Sequence, residues 1–174
     1  TSDRDTPSPA EPAGTARMVD LRTGVLVRRD AAGLRTFRFV SAARPEALAL
    51  RAEAPAGRLL SGPGLAPPDD APACDHRRRH GADLARVRTP SDGGVAVAAR
   101  DRDRVVGGRR VVERLASWTA ARSRAPTWSG AMDALEQLDG AGFDRLLAEH
   151  RAAWASRWAD AEVSIDGAPG DQLA

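Results

Sequence analysis

Residues 102–120 read RDRVVGGRRVVERLASWTA. Val105-Val106 and Val111-Val112 flank Gly107-Gly108, and two adjacent glycines supply the positive φ that a tight primed turn requires. The second arm runs on through Leu115 to Trp118. This is the signature of a β-hairpin, and the segments before it have the same texture. GVAVAAR (94–100) reads as a short strand. ALALRAE (47–53) alternates Leu48, Leu50 and Ala52 against Ala49, Arg51 and Glu53, a period-two strand with one wet face. MVDLRTGVLVRRD, the turn AAG and LRTFRFVS form a hairpin, with Phe37 and Phe39 on one face and Arg38 on the other. Strands joined by glycine-containing turns, with no helical period between them, predict an antiparallel sheet or sandwich.

Two segments break this texture. Residues 1–17 are rich in Pro, Ser, Thr and Ala and bury too little apolar surface to offset ordering entropy, so a disordered lead-in is expected. Residues 54–92 are punctuated by Pro and Gly throughout and read as a long irregular loop.

After SRAPTWSG the period becomes helical. Met132, Leu135 and Leu138 form a short apolar stripe, with Ser129 as its N-cap, and DGAG breaks it. FDRLLAEHRAAWASRWADA (143–161) then places Phe143, Leu146, Leu147, His150, Trp154 and Trp158 three or four residues apart. His150, Trp154 and Trp158 invite two readings, an exposed sugar platform or a docking face. Phe143 and Leu146 continue the same stripe, which makes burial the simpler explanation. Each buried indole would then be worth roughly 3 to 5 kcal/mol on truncation to Ala.

Composition removes several classes. The 174 residues are 42% apolar with three Phe and no Tyr, and all 26 basic residues are Arg. The net charge of +2 is too small for a phosphate-tracking face, so nucleic acid is not expected as a partner. An RNA-binding module would also need stacking aromatics that this chain lacks. No run approaches the length of a membrane span, and no signal segment is visible. The lone Cys74 forms no intrachain disulfide, which fits a reducing compartment and a cytoplasmic location.

Motifs for catalysis are absent. Cys74, His76 and His80 in CDHRRRH lack the fourth ligand of a structural zinc site. Asp69-Asp70 and Asp101/Asp103 have no visible rigid frame on which to act across a glycosidic bond. GPG and VVGG are not phosphate loops, and neither Ser117 nor Ser129 has a base at recognisable spacing.

Three stretches together resemble one family. VDLRTGVLVRRD…LRTFRFVSAARPEALALRAE looks like late strands of the N-terminal sandwich of glycoside hydrolase family 65. RVVERLASWTAARS is similar to its last sandwich strand. GFDRLLAEHRAAWASRWADAEVSIDGAPGDQLA, with its H-x-x-x-W-x-x-x-W helix and G-x-x-x-x-Q-L-A, resembles the linker helix and the entry to the catalytic barrel. The family contains maltose, trehalose and kojibiose phosphorylases and acid trehalases, which cleave α-glucosidic disaccharides with inversion by phosphate or water.

The resemblance implies a β plus α fold: a partial antiparallel, galactose-mutarotase-like β-sandwich over 18–122, a helical linker over 123–160, and the start of an (α/α)6 barrel over 161–174. It implies a non-catalytic N-terminal fragment of such an enzyme, because the family's catalytic positions lie in the barrel. No catalytic, cofactor-binding or metal-binding residue carries over, and the phosphorylases use no metal or organic cofactor. The implied partners are the α-linked disaccharide and phosphate of the parent, the missing barrel, and a second copy in a homo-oligomer. Phe143, Leu146, His150, Trp154 and Trp158 become a domain-docking clasp. The competing reading is a stand-alone sandwich module that binds glycan or a partner without catalysis.

Overall fold

The computed structural model describes residues 14–58, 74–88, 93–121 and 128–161. Eight strands form one antiparallel sheet: β1 (Ala16–Asp20), β2 (Val25–Arg29), β3 (Arg35–Val40), β4 (Ala47–Pro55), β5 (Cys74–Arg79), β6 (Ala82–Arg88), β7 (Gly94–Val106) and β8 (Arg109–Ala121). Their spatial order is β1-β2-β3-β4-β8-β7-β6-β5. The chain lays down a four-strand meander, crosses to the far edge at β5, and works back until β8 closes against β4.

The β7–β8 hairpin is the spine. It is paired from Gly94↔Ala121 to Val106↔Arg109, and the turn glycines take φ of 55° at Gly107 and 73° at Gly108. That is the turn which the quoted stretch predicts, and β7 extends the expected 94–100 strand to the turn itself. Arg–Asp pairs lace the exposed end: Arg114 bonds Asp101 at 2.7 Å, and Arg110 bonds Asp103. Asp101 and Asp103 are thereby held as partners of arginines across the ladder rather than facing each other over a cleft.

One helix, α1 (Trp128–Ala161), lies on the sheet, interrupted at Gly142 (φ 75°, ψ 166°). Residues before and after this break form two arms, as the DGAG interruption predicts. Ser129 falls within the first turn rather than capping it. Ala131, Leu135, Leu138, Phe143, Leu146 and His150 are the buried residues of α1. Beneath them lie Ala47, Ala49, Ala96, Ala98, Leu84 and Leu115, so the sheet meets bulky helix residues mostly with alanine. Ser117, fully buried, donates its hydroxyl to the Ala131 carbonyl at 2.6 Å.

Four expectations change. Residues 54–92 are not a single irregular loop: β4 runs to Pro55, and β5 and β6 form a hairpin through His80 and Gly81. CDHRRR is an exposed edge strand, so its two faces are both polar and the period-two signal vanishes. Strand β1 begins at Ala16, inside the expected disordered lead-in of 1–17. MVDLRTGVLVRRD is two strands rather than one, because Asp20 folds the chain: its carboxylate accepts from the Thr23 hydroxyl at 2.7 Å and from the Arg22 amide at 3.0 Å. Finally, the helix-facing side of β4 is Ala47, Ala49 and Arg51, while Leu48 and Leu50 are half-buried on the opposite face. Small residues are needed where a helix backbone comes close, so the wetter-looking side of ALALRAE is the one under α1. Residues 1–13, 59–73, 89–92, 122–127 and 162–174 lie outside the described residues, and with them Asp69-Asp70 and the expected entry to a barrel.

Leu135 is fully buried at the centre of this contact. Leu135→Ala should cost about 2 to 5 kcal/mol of stability, checked by urea unfolding of both chains with circular dichroism.

Candidate functional site

The second arm of α1 crosses two turns at one end of the sheet, 21–24 between β1 and β2 and 41–46 between β3 and β4. Phe143 begins the contact. Its ring meets Phe39 edge-on at 5.7 Å between centroids, and the Arg51 guanidinium lies 4.1 Å from its centre. Leu146, one turn on, is fully buried.

His150 is 1% exposed, and it stacks on Phe39 at 4.5 Å. The Ala42 amide donates to its Nδ1 at 3.0 Å, which places the ring proton on Nε2. Nε2 is buried without a hydrogen-bond partner among the described residues. Burial pushes the imidazole below its ordinary value of 6.5; the backbone at Thr23 and Gly24 opposes this, and Arg157 and Arg151 add to it.

Trp154 and Trp158 complete the row, both half-buried. Trp154 meets the edge of His150 at 6.3 Å and presses on Gly24, where an added Cβ would overlap the indole. Gly24 also has φ of 63°, so two separate requirements select glycine there. Trp158 donates its indole N–H to the Leu21 carbonyl at 3.0 Å. At the flank, Arg44 clamps Glu149 through two bonds of 3.0 and 3.2 Å, and Arg157 reaches the Ala42 carbonyl at 3.2 Å. Of the five sequence-predicted residues, His150, Trp154 and Trp158 thus meet this chain's own turns, while Phe143 packs on β3 and β4 and Leu146 is buried in the core.

Sequence reasoning missed the receiving surface. Gly24, Ala42 and the Leu21 carbonyl act through backbone and shape, which side-chain patterns do not carry. The D-x-x-T-G spacing at Asp20, Thr23 and Gly24 is the signal that marks the turn. A buried charge cluster was also missed. Glu113, 5% exposed on β8, accepts from Arg51 at 2.8 Å and from both Arg104 terminal nitrogens at 2.7 and 2.8 Å. Arg51 extends it to Asp144 at 2.8 Å. The arginines hold Glu113 below the ordinary carboxylate range against its burial. A carboxylate held in this way by two guanidinium groups fixes position.

Cys74 and His76 share a face of β5 while His80 sits in the turn; among the described residues no cluster of three His, Cys, Asp or Glu is placed to hold a metal. No described helix is long and apolar enough to cross a membrane.

Among the described residues the fold is an eight-stranded antiparallel sheet covered by one interrupted helix. No family model matches the chain, and no curated protein matches it. Among solved structures, one named "Putative kojibiose phosphorylase from human microbiome" superposes with a TM-score of 0.73 over 90% of this chain at 13% identity. The match covers 25% of that protein, so the chain spans about a quarter of its length. The likeness is one of fold.

Two outcomes test the seat of α1. Gly24→Ala should displace the Trp154 indole and cost about 2 to 4 kcal/mol, seen as lost near-ultraviolet circular dichroism and a lowered urea midpoint. His150 should make stability depend on pH. Its folded value lies below its unfolded one, so the unfolded chain binds the proton first. The stability that depends on the neutral ring is complete above about pH 6.5 and is lost as pH falls through the folded value. His150→Phe should flatten that part of the stability–pH curve measured by urea unfolding between pH 5 and about 8.

Proposed function

We propose that the chain is the non-catalytic N-terminal part of a carbohydrate-active enzyme that cleaves α-glucosidic disaccharides by inverting phosphorolysis or hydrolysis. The observation that carries this reading is the superposition of nearly the whole chain on one quarter of a protein named as a kojibiose phosphorylase. The sheet is then one layer of a galactose-mutarotase-like sandwich. In support, the face away from α1 carries Leu48, Leu50, Val97, Val112 and Trp118, all half-buried, and Val40, which is exposed. A row of that kind fits a second β layer.

Phe143, Leu146, His150, Trp154 and Trp158 have two roles in this reading. The first three fasten α1 to the sheet, and the half-buried indoles of the last two border the surface that receives the catalytic barrel. Leu21, 70% exposed beside Trp158, and Met18, 58% exposed on β1, extend that surface. The disaccharide, phosphate where the enzyme is a phosphorylase, and a homo-oligomeric partner belong to the parent protein, which acts in the cytoplasm.

The test is turnover. The 174-residue chain should release neither glucose 1-phosphate with phosphate nor glucose with water from kojibiose, trehalose or maltose. The full polypeptide encoded by its gene should do one of these. Activity of the chain alone, or a full polypeptide inert on all three sugars, overturns the reading.

A further inference from the structure

The end of α1 is held by a ring that its seat keeps neutral. Nδ1 of His150 accepts from the Ala42 amide at 3.0 Å, and the ring is 1% exposed over Phe39. An imidazolium cation is a donor at both nitrogens. With a proton on Nδ1, two N–H groups would face each other at that distance, and solvent cannot enter to separate them. The surrounding charges do not offset this. From α1, Arg157 and Arg151 act on the ring and oppose a cation. Glu149 is taken by Arg44 of the 41–46 turn and by Arg145, and Glu46 of the same turn is exposed. Asp20, at the 21–24 turn, is bonded to Thr23 and to the Arg22 amide. On β3 the ring meets Phe39, while Arg35 lies further along that face over Phe37. The Thr23 and Gly24 backbone favours the charged ring, by less than burial disfavours it.

Release of this end leaves the rest of α1 anchored. Before the break at Gly142, Leu135 and Leu138 are fully buried, Ser117 bonds the Ala131 carbonyl, and Arg100 pairs with Asp139. Just after it, Arg51 stacks on Phe143 and pairs with Asp144. Beyond His150, α1 has no buried residue. The contacts there are Trp154 against Gly24, Arg157 on the Ala42 carbonyl and Trp158 on the Leu21 carbonyl. They end on the same two turns that His150 grips.

We infer that residues His150–Ala161 form a proton-operated latch: the neutral ring seats them on the 21–24 and 41–46 turns, and the imidazolium releases them while the rest of α1 stays on the sheet. Nearby carboxylates do not substitute for the ring, because Thr23 holds Asp20, and Arg44 holds Glu149, below the ordinary carboxylate range. Release therefore takes up one proton. Its equilibrium constant rises by up to about tenfold for each unit of pH lost between the free and the seated values of the ring. The pH dependence of overall stability would exist without a latch; the latch adds that the end of α1 opens alone. Neither the seat nor its release rests on the function proposed above.

Amide hydrogen exchange of the 174-residue chain, followed by NMR between about pH 5 and about 7.5, tests the latch. After correction for the intrinsic exchange rate, the amides of Trp154 and Trp158 should be less protected than those of Leu135 and Leu138 at every pH. Below about pH 6.5 they should lose up to about tenfold in protection per unit, while Leu135 and Leu138 stay protected at the acid end. In the same samples the imidazole nitrogen resonances of His150 should titrate together with the indole N–H resonances of Trp154 and Trp158. His150→Asn puts a neutral carbonyl acceptor where Nδ1 stands, and should keep the end seated with no slope in pH. Protection of Trp154 and Trp158 that ignores pH, or that falls equally with that of Leu135 and Leu138, overturns the latch. So does a slope that survives His150→Asn. The parent chain decides without the variant: an imidazole that titrates while both indole signals stay fixed also overturns it.

Discussion

The molecule depends on how closely α1 can approach the sheet. A face made of Ala47, Ala49, Ala96 and Ala98 has little bulk of its own, so the apolar volume comes from Leu135, Leu138, Phe143 and Leu146 above it. The same closeness allows Ser117 to reach the Ala131 carbonyl, an acceptor that α1 does not need to share with water. A larger residue at any of these alanines would lift the helix and expose the leucines together, since protein interiors tolerate added volume poorly. The economy in large apolar residues is therefore a property of the interface rather than a weakness of the core.

With so little bulk, polar groups fix the register. Glu113 sits beneath the break in α1, and its two oxygens are taken by Arg51 and Arg104. Arg51 also stacks on Phe143 and pairs with Asp144, so one guanidinium ties β4, β8 and the start of the second arm. Arginine suits this task because its planar fork bonds two carboxylates while its face covers a ring. A lysine there would supply charge without the stacking. The second arm is then aimed at the turns, where His150 accepts from Ala42 and Trp158 donates to Leu21. Charge sets the direction of this arm, and aromatic surface seats it.

Much of this was legible in the sequence, and what was not has a physical reason. The β7–β8 turn could be read because two glycines between valine pairs have few alternative uses. The stripe from Phe143 to Trp158 could be read because a helix repeats its face. The β5–β6 hairpin could not: Cys74–Arg79 is an exposed edge, and a strand that buries neither face leaves no alternation. Which side of β4 faces the helix was misread because alanine scores weakly on any scale, yet close approach demands it. Of the candidate site, the sequence carried the helix side and hid the sheet side. Gly24 and the carbonyls at Leu21 and Ala42 contribute shape and backbone, and no residue type announces them.

The two sides of the sheet now differ in a way that bears on function. Beneath α1 the small residues are matched to the leucines and aromatics above, and the polar groups mostly find partners. On the other side, Leu48, Leu50, Val112 and Trp118 stay half-buried, and the Arg114–Asp101 and Arg110–Asp103 pairs share that face. The outer edges differ as well. At β5 three consecutive arginines make pairing with a neutral strand costly, because it would desolvate exposed guanidinium groups. At β1 the exposed side chains include the apolar Met18 and Val19 beside a single arginine, Arg17. A domain built to stand alone has reason to guard both edges. Both edges carry exposed arginine, a charge that discourages further pairing, three at β5 and one at β1. The half-buried apolar row on the open face, rather than either edge, is the feature that fits the second β layer proposed above.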